Sequence, residues 1–181
     1  VLGITVDNEG RVLVLGETTS SDYPVFGSGD NVYGGQGDVF VTCINGMASL
    51  YWSTFYGGEN IETAGGIGYD GVNDRIYITG GTASVTGIAN NGQQLAYGGG
   101  LKDGYIASFS ELGELVWATY VGGTGTEVAE QCSSDIEGNI YLVGTTSSTG
   151  FATPGAFQSA FSGGVSDAFM AKYNSNGSMS W

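Results

Sequence analysis

The sequence contains no histidine, and only four lysine or arginine residues stand against 18 aspartate or glutamate residues, giving a net charge of −14. Without histidine, the chain cannot build the Ser-His-Asp or Cys-His arrangements of nucleophilic catalysis. Four cations are too few to cover a phosphate backbone, and an anionic membrane surface would repel so acidic a chain. We therefore expect a non-enzymatic protein with no nucleic-acid partner and no direct membrane insertion.

Long apolar runs, helical patterns and cysteines are also scarce. No run approaches the roughly 18 apolar residues of a membrane-spanning helix, and no stretch shows a helical period. The two cysteines, Cys43 and Cys132, are too few for a disulfide framework. They fall in different copies of the repeat described below, so we expect two free thiols. Repeat alignment places Cys132 in the core and Cys43 nearer the solvent.

A repeated motif organises the sequence. Residues 51–58 read Tyr-Trp-Ser-Thr-Phe-Tyr-Gly-Gly, and residues 116–123 read Val-Trp-Ala-Thr-Tyr-Val-Gly-Gly. The pattern begins again at Ser180-Trp181, so the tryptophans recur 65 and 64 residues apart. A fixed period of this length is the signature of a repeat architecture. Because the tryptophans hold the same place in every copy, we expect them to pack neighbouring units rather than bind a ligand.

Each copy contains short apolar segments separated by turns. Two segments flank a turn that begins with aspartate, a third starts with aspartate, and the last carries the tryptophan motif. A polar stretch of about twenty residues, too long for a simple turn, separates the second and third segments. Four antiparallel strands repeated radially describe a β-propeller blade. The sequence therefore predicts an all-β protein made of four-stranded antiparallel propeller blades.

The predicted blades divide the chain into residues 1–63, 64–128 and 129–181, the last being incomplete. Together they amount to about 2.8 blades, whereas propellers close with four to eight. We therefore expect a fragment of one larger propeller domain, cut within the last strand of the third blade. The remaining blades of the same polypeptide are the expected partners of this segment.

The third copy resembles a known bacterial repeat. It contains Asp-Ile-Glu-Gly-Asn-Ile-Tyr-Leu-Val-Gly-Thr-Thr-Ser-Ser (135–148), Thr-Pro-Gly-Ala-Phe-Gln (153–158) and Asp-Ala-Phe-Met-Ala-Lys-Tyr (167–173). Together with the Trp-x-Thr-Tyr-x-Gly-Gly motif, these segments resemble the SBBP bacterial β-propeller repeat over essentially the whole chain. The resemblance is loosest in the first two long loops, which lack Thr-Pro-Gly-Ala-Phe-Gln.

The resemblance implies a propeller within a large secreted or surface-exposed bacterial protein, often from Bacteroidetes. Many such proteins are exported by the type IX secretion system and carry a C-terminal sorting domain, which would lie outside this segment. The resemblance implies no reaction, because the repeats of the family share no catalytic residues. It leads us to expect an extracellular or cell-surface location.

Two sets of aspartates recur with the repeat. The first set begins the hairpin turns, where aspartate often bonds its own backbone. The second set heads the third strand of each copy, and its equivalent environments do not suit acid–base catalysis, which needs carboxyl groups with separated pKa values. We expect both sets to accept backbone N–H bonds. The residues are Asp7, Asp70 and Asp135 in the turns and Asp38, Asp103 and Asp167 at the strands.

Calcium is an open alternative role for the acidic residues. Calcium sites need six to eight converging oxygen ligands, more than a tight turn supplies. Four further acids follow the Gly-Gly pairs, and these are Glu59, Glu62, Glu127 and Glu130. We expect no cofactor, and structural calcium between blades remains the alternative.

Residues that differ between copies are the better candidates for binding, and most of them lie in the long loops. The candidates are Tyr23, Phe26 and Asn31 in the first loop, Asn90, Asn91, Gln93 and Gln94 in the second, and Phe151, Phe157 and Gln158 in the third. Amides and aromatic rings suit a protein or a glycan at the cell surface, and they also occur in plain loops.

The sequence favours a non-catalytic extracellular β-propeller that serves as a scaffold or interaction module of a large secreted or surface protein. Two alternatives stay open. One is a carbohydrate-binding, adhesin-like propeller. The other is a non-catalytic part of a secreted enzyme whose active site lies elsewhere.

Overall fold

The computed structural model describes residues 1–181 as β-strands, turns and loops, with no helix. Eleven strands form three antiparallel sheets, and strands adjacent in sequence are hydrogen-bonded neighbours within each sheet. The all-β class predicted from the sequence is therefore confirmed. The protein has no helix of the length and apolar character that a bilayer crossing requires.

The sheets follow one another along the chain. The first contains β1 (Gly3–Val6), β2 (Val12–Thr18), β3 (Asp38–Ile44) and β4 (Leu50–Tyr56). The second contains β5 (Glu62–Asp70), β6 (Arg75–Thr82), β7 (Asp103–Ser110) and β8 (Leu115–Val121). The third contains β9 (Glu127–Ser134), β10 (Ile140–Thr146) and β11 (Asp167–Tyr173).

Aspartates fix the turn between the first two strands of each sheet. The Oδ1 of Asp7 accepts the backbone N–H groups of Glu9 at 3.0 Å and Arg11 at 2.8 Å. Asp70 and Asp135 accept N–H groups of their own turns in the second and third sheets. These bonds satisfy backbone donors that the tight turn leaves without a strand partner. The predicted turn role of the three aspartates is confirmed.

The sheets pack face to face, and their strands are apolar where two sheets meet. Leu13, Leu15 and Val41 of the first sheet belong to one buried cluster with Ile67 and Ile78 of the second. A second cluster joins the other face of the middle sheet to the third, and it includes Tyr77, Ile106, Ile140 and Leu142. The middle sheet is therefore covered on both faces, which accounts for its continuous apolar strands.

The motif tryptophans connect successive sheets. The indole Nε1 of Trp52 in β4 donates to the carbonyl of Glu111, at the β7–β8 turn, at 2.8 Å. Trp117 in β8 makes the same bond to the carbonyl of Ser175, just after β11, also at 2.8 Å. Both rings are buried, at 3% and 2% exposure. The predicted packing role of these tryptophans is confirmed.

Both cysteines are free thiols, as expected, but their environments differ from the prediction. Cys43 is 1% exposed and Cys132 is only half-buried, so the expectation that Cys43 lies nearer the solvent was wrong. Cys43 pairs with Trp52 across the β3–β4 ladder and belongs to the cluster between the first two sheets. Burial raises the pKa of Cys43 to about 11, so its thiol stays protonated at neutral pH.

Candidate binding site at the open edge of the third sheet

A cavity of about 720 Å³ lies between β11 and the long loop that precedes it. We call it the edge cavity, lined by β11, by residues 150–161 and by the end of β8. Five of the ten residues predicted as binding candidates line it. They are Gln93, Gln94, Phe151, Phe157 and Gln158. Two of the three long loops therefore contribute candidates to one cavity.

The first two sheets show how the long loops are positioned. In the first sheet, Phe26 and Ser53 exchange two backbone bonds, of 3.0 and 2.8 Å. In the second sheet, Asn90 and Ala118 exchange the corresponding pair, of 2.9 and 2.7 Å. Each loop thus lies along the outer edge of the fourth strand, β4 or β8, and satisfies backbone groups that an edge strand would leave exposed.

A threonine of the motif strengthens this contact in both sheets. Thr54 Oγ1 donates to the carbonyl of Asp30 at 3.2 Å, and the same carbonyl accepts the backbone N–H of Phe55 at 3.0 Å. In the second sheet, Thr119 Oγ1 donates to the carbonyl of Gln94 at 3.1 Å. The fourth strand is therefore held on both sides, by the third strand and by the loop.

In the third sheet the long loop and the third strand, β11, are present, but no fourth strand lies between them. Beside β11, Lys172 exchanges backbone bonds of 2.9 and 2.7 Å with Trp181 and Ser180. From Ala171 back to Asp167, β11 pairs only with β10. The edge cavity lies along this free part of β11, in the place that β4 and β8 take in the other sheets.

The third loop keeps the fold of its counterparts. Gln158 Nε2 donates to Asp167 Oδ2 at 3.4 Å, as Gln94 Nε2 does to Asp103 Oδ2 at 3.5 Å. The two glutamines are 64 residues apart, which is one repeat. The ring of Phe157 nearby is fully exposed. The third loop is therefore shaped like the loops that hold a fourth strand.

The other predicted candidates lie outside the edge cavity. Tyr23 stacks on Phe40 with ring centroids 4.2 Å apart, and its hydroxyl bonds Thr42 at 2.7 Å, so it packs within the first sheet. Phe26 and Asn31 are exposed in the first loop. The second-loop residues Asn90 and Asn91 form backbone bridges to β8. Whether any of these residues binds a partner stays a prediction.

Aspartates at the start of the third strands anchor the long loops. Asp38 Oδ2 accepts the N–H of Gly34 at 2.8 Å, and Asp103 Oδ2 accepts that of Gly98 at 2.6 Å. Asp167 Oδ2 accepts the corresponding bond in the third sheet, at 2.6 Å. The predicted structural role of these aspartates is confirmed.

Sequence reasoning missed that two of these aspartates face a buried glutamate of the next sheet. The position of a Cβ added to Gly57 lies 2.6 Å from both Asp38 Oδ1 and Glu62 Oε2, so these two oxygens converge beside the glycine. Burial raises the pKa of Asp103 to about 6, and the charge of the nearby Glu127 adds to this rise. The hydrogen bond from the backbone N–H of Gly98 lowers the same pKa but does not cancel the rise. A glutamate five residues after the first glycine of each Gly-Gly pair was the available signal.

The acidic residues that follow the Gly-Gly pairs have hydrogen-bond partners within the protein. Glu62 accepts bonds from Thr82 at 2.6 Å, Ser84 at 2.7 Å and the N–H of Gly58 at 2.8 Å. Its oxygens are therefore occupied by protein donors. No group of three or more acidic or cysteine side chains converges as a metal site would require.

Comparison with known proteins adds no relative. No protein-family model matches the chain, and no curated protein matches it.

Proposed function

We propose that this chain is a non-catalytic β-propeller segment that acts as a scaffold and interaction module of a larger secreted or cell-surface protein. In this proposal the sheets are blades, assigned to residues 1–63, 64–128 and 129–181. The observation that carries the proposal is the repeated junction, in which the tryptophan of one sheet bonds a carbonyl at the turn of the next. In a repeat protein each unit makes the same contact with the next unit, so such a contact allows blades to be added in series.

The loops are the variable part of this scaffold. Each complete sheet keeps its loop on the fourth strand through backbone bonds, in which the exposed loop side chains take no part. Side chains such as Phe26 and Asn31 are therefore free to differ between blades and to contact a protein or glycan partner. The resemblance to the SBBP repeat supports an extracellular location, and export by the type IX system is part of the proposal.

Protease accessibility tests the proposed location. The polypeptide that contains this chain is expressed in its source cells, and a protease is added to the intact cells. We expect cleavage or release of the segment without lysis, while a cytoplasmic marker stays intact. Cleavage that occurs only after lysis would refute the surface location.

Substitution of exposed loop side chains tests the scaffold role. Replacing Asn90, Gln93 and Leu95 of the second loop with alanine removes exposed side chains and leaves the buried Ile88 in place. We expect the melting temperature to fall by no more than about 4 °C, since about 1 kcal/mol shifts a domain of this size by 2–4 °C. Loss of cooperative unfolding would show that the loop sequence is structural and would contradict the proposal.

A further inference from the structure

We propose that the edge cavity is an acceptor site for one extended polypeptide strand with the sequence Ser/Ala-Thr-aromatic-x-Gly-Gly, supplied from outside residues 1–181. Adding a strand to an exposed sheet edge is a general mode of peptide recognition. Here the occupant is specified by the protein itself, because β4 and β8 fill the two equivalent places with this sequence. The site depends only on the geometry of the β11 edge and not on where the protein resides.

The register of the occupant follows from the paired strands. Trp52 lies opposite Cys43 and Trp117 lies opposite Ser108, and Trp181 exchanges its backbone bond with Lys172 at the same point of the repeat. The residue after tryptophan is small in both complete sheets and would face Ala171. The following threonine and aromatic residue would face the next two residues of β11, as they face β3 and β7.

The third loop supplies the second side of the site. The carbonyls of Asp30 and Gln94 each accept a threonine hydroxyl and the N–H of the aromatic residue that follows it. Gln158 holds the same position relative to Asp167 as Gln94 holds relative to Asp103. An incoming threonine would therefore bond the backbone of Gln158, and both edges of the added strand would be satisfied.

The first glycine of the occupant is also required. A Cβ on Gly57 would lie 2.6 Å from Asp38 Oδ1, and a Cβ on Gly122 would lie 2.5 Å from Asp103 Oδ1. Real side chains do not tolerate such a distance to a buried oxygen. Asp167 is the counterpart in the third sheet, so the added strand needs glycine beside it.

Peptide titration tests the proposal without altering the protein. The acetylated peptide Ala-Thr-Tyr-Val-Gly-Gly, copied from residues 118–123, is titrated into the chain and followed by calorimetry and hydrogen exchange. We expect saturable one-to-one binding that slows exchange of the amides of β11 between Asp167 and Ala171. Replacing the peptide threonine with valine should weaken binding about tenfold, because one hydrogen bond is lost. Replacing the first glycine with valine should abolish detectable binding.

A second protein controls for the weak affinity of a short peptide. Extending the chain after Trp181 with the same six residues places the strand at a high effective concentration. We expect the extended chain to melt several degrees higher and to bind no added peptide. Equal binding of all three peptides, or unchanged binding to the extended chain, would overturn the proposal. Dimerisation that protects the same amides and resists peptide competition would place a second copy in the site and would overturn it too.

Discussion

A tryptophan ring and a turn glycine meet at each junction between sheets. Gly113 and Gly177 have φ angles of +82° and +86°, a region that residues with a Cβ rarely adopt. A Cβ on either glycine would come within 2.8 Å of the ring of Trp52 or Trp117. The junction therefore combines a buried ring, an indole hydrogen bond and a turn that only glycine fits.

Replacing Trp117 with phenylalanine tests the junction. The variant keeps an aromatic ring in the cluster but loses the indole bond to the carbonyl of Ser175 and part of the buried ring, so we expect a loss of about 1–3 kcal/mol in the free energy of unfolding. Trp181 provides the matched control, because its side chain is 45% exposed. The same change at Trp181 should cost under about 0.5 kcal/mol in urea denaturation. Equal losses at the two sites would contradict a special role for the junction.

The buried aspartates predict an unusual dependence of stability on pH. The pKa of Asp103 is raised to about 6, with burial as the largest cause, so the folded protein holds this proton more tightly than the unfolded chain does. Its stabilising contribution is complete below about pH 4 and is lost as the pH rises through about 6. Over that range we expect Asp103 to remove up to about 3 kcal/mol from the free energy of unfolding.

The test compares denaturation of the wild-type chain and of Asp103→Asn between pH 4 and 7. The amide cannot ionise, so the variant should lose the share of the decline that Asp103 contributes, while Asp38 and Glu62, whose pKa values burial also raises, keep theirs. Asp167→Asn is the control, because both Asp167 oxygens accept bonds from Ser162 and the residue is only partly buried. A decline that persists unchanged in Asp103→Asn would contradict the assignment.

At the scale of the element, each complete sheet has a fourth strand whose outer edge is covered by a long loop. The loop has no alternating pattern of its own, so nothing in its sequence predicts where its backbone bonds go. Those bonds depend on the position of β4 and β8, which is a property of the assembled sheet. The loop candidates could be chosen from the sequence because they differ between copies. The edge cavity could not be predicted, because it depends on where the strands lie in the assembled sheet.

The repeat made other features accessible to prediction. Strand order, the turn aspartates and the packing tryptophans recur at the same position in each copy. A prediction made for one copy therefore applied to the other copies as well. The burial of Cys43 was predicted wrongly because its counterparts Ser108 and Lys172 are polar. Ser108 is in fact fully buried, so polarity in one copy did not indicate exposure in another.

The turn glycines allow a matched pair of substitutions. Gly10→Ala places a Cβ at a φ of +74° with no atom within 4 Å, so it measures the cost of the backbone conformation alone, about 1–2 kcal/mol. Gly113→Ala has a similar φ and in addition directs the Cβ against Trp52. We expect it to cost at least about 1 kcal/mol more than Gly10→Ala in urea denaturation. Equal costs would mean that the ring moves aside freely.

At the scale of the whole molecule, the three sheets are unequally covered. The middle sheet contributes to both buried clusters, whereas the first and third sheets contribute to one each. Large apolar side chains on the outer strands are accordingly exposed, among them Ile4 at 68% and Met170 at 58%. In a stack of units that contact only their neighbours, stability is the sum of each unit and its interfaces, so it should be highest at the centre.

Native-state hydrogen exchange measures this distribution directly. We expect the amides of β6 and β7 to exchange most slowly, those of the first sheet faster, and those of β11 fastest among the paired strands. That order follows if interfaces between repeated sheets hold the protein together. Uniform protection across the three sheets, or slowest exchange in β11, would contradict the account of three stacked sheets with an open edge.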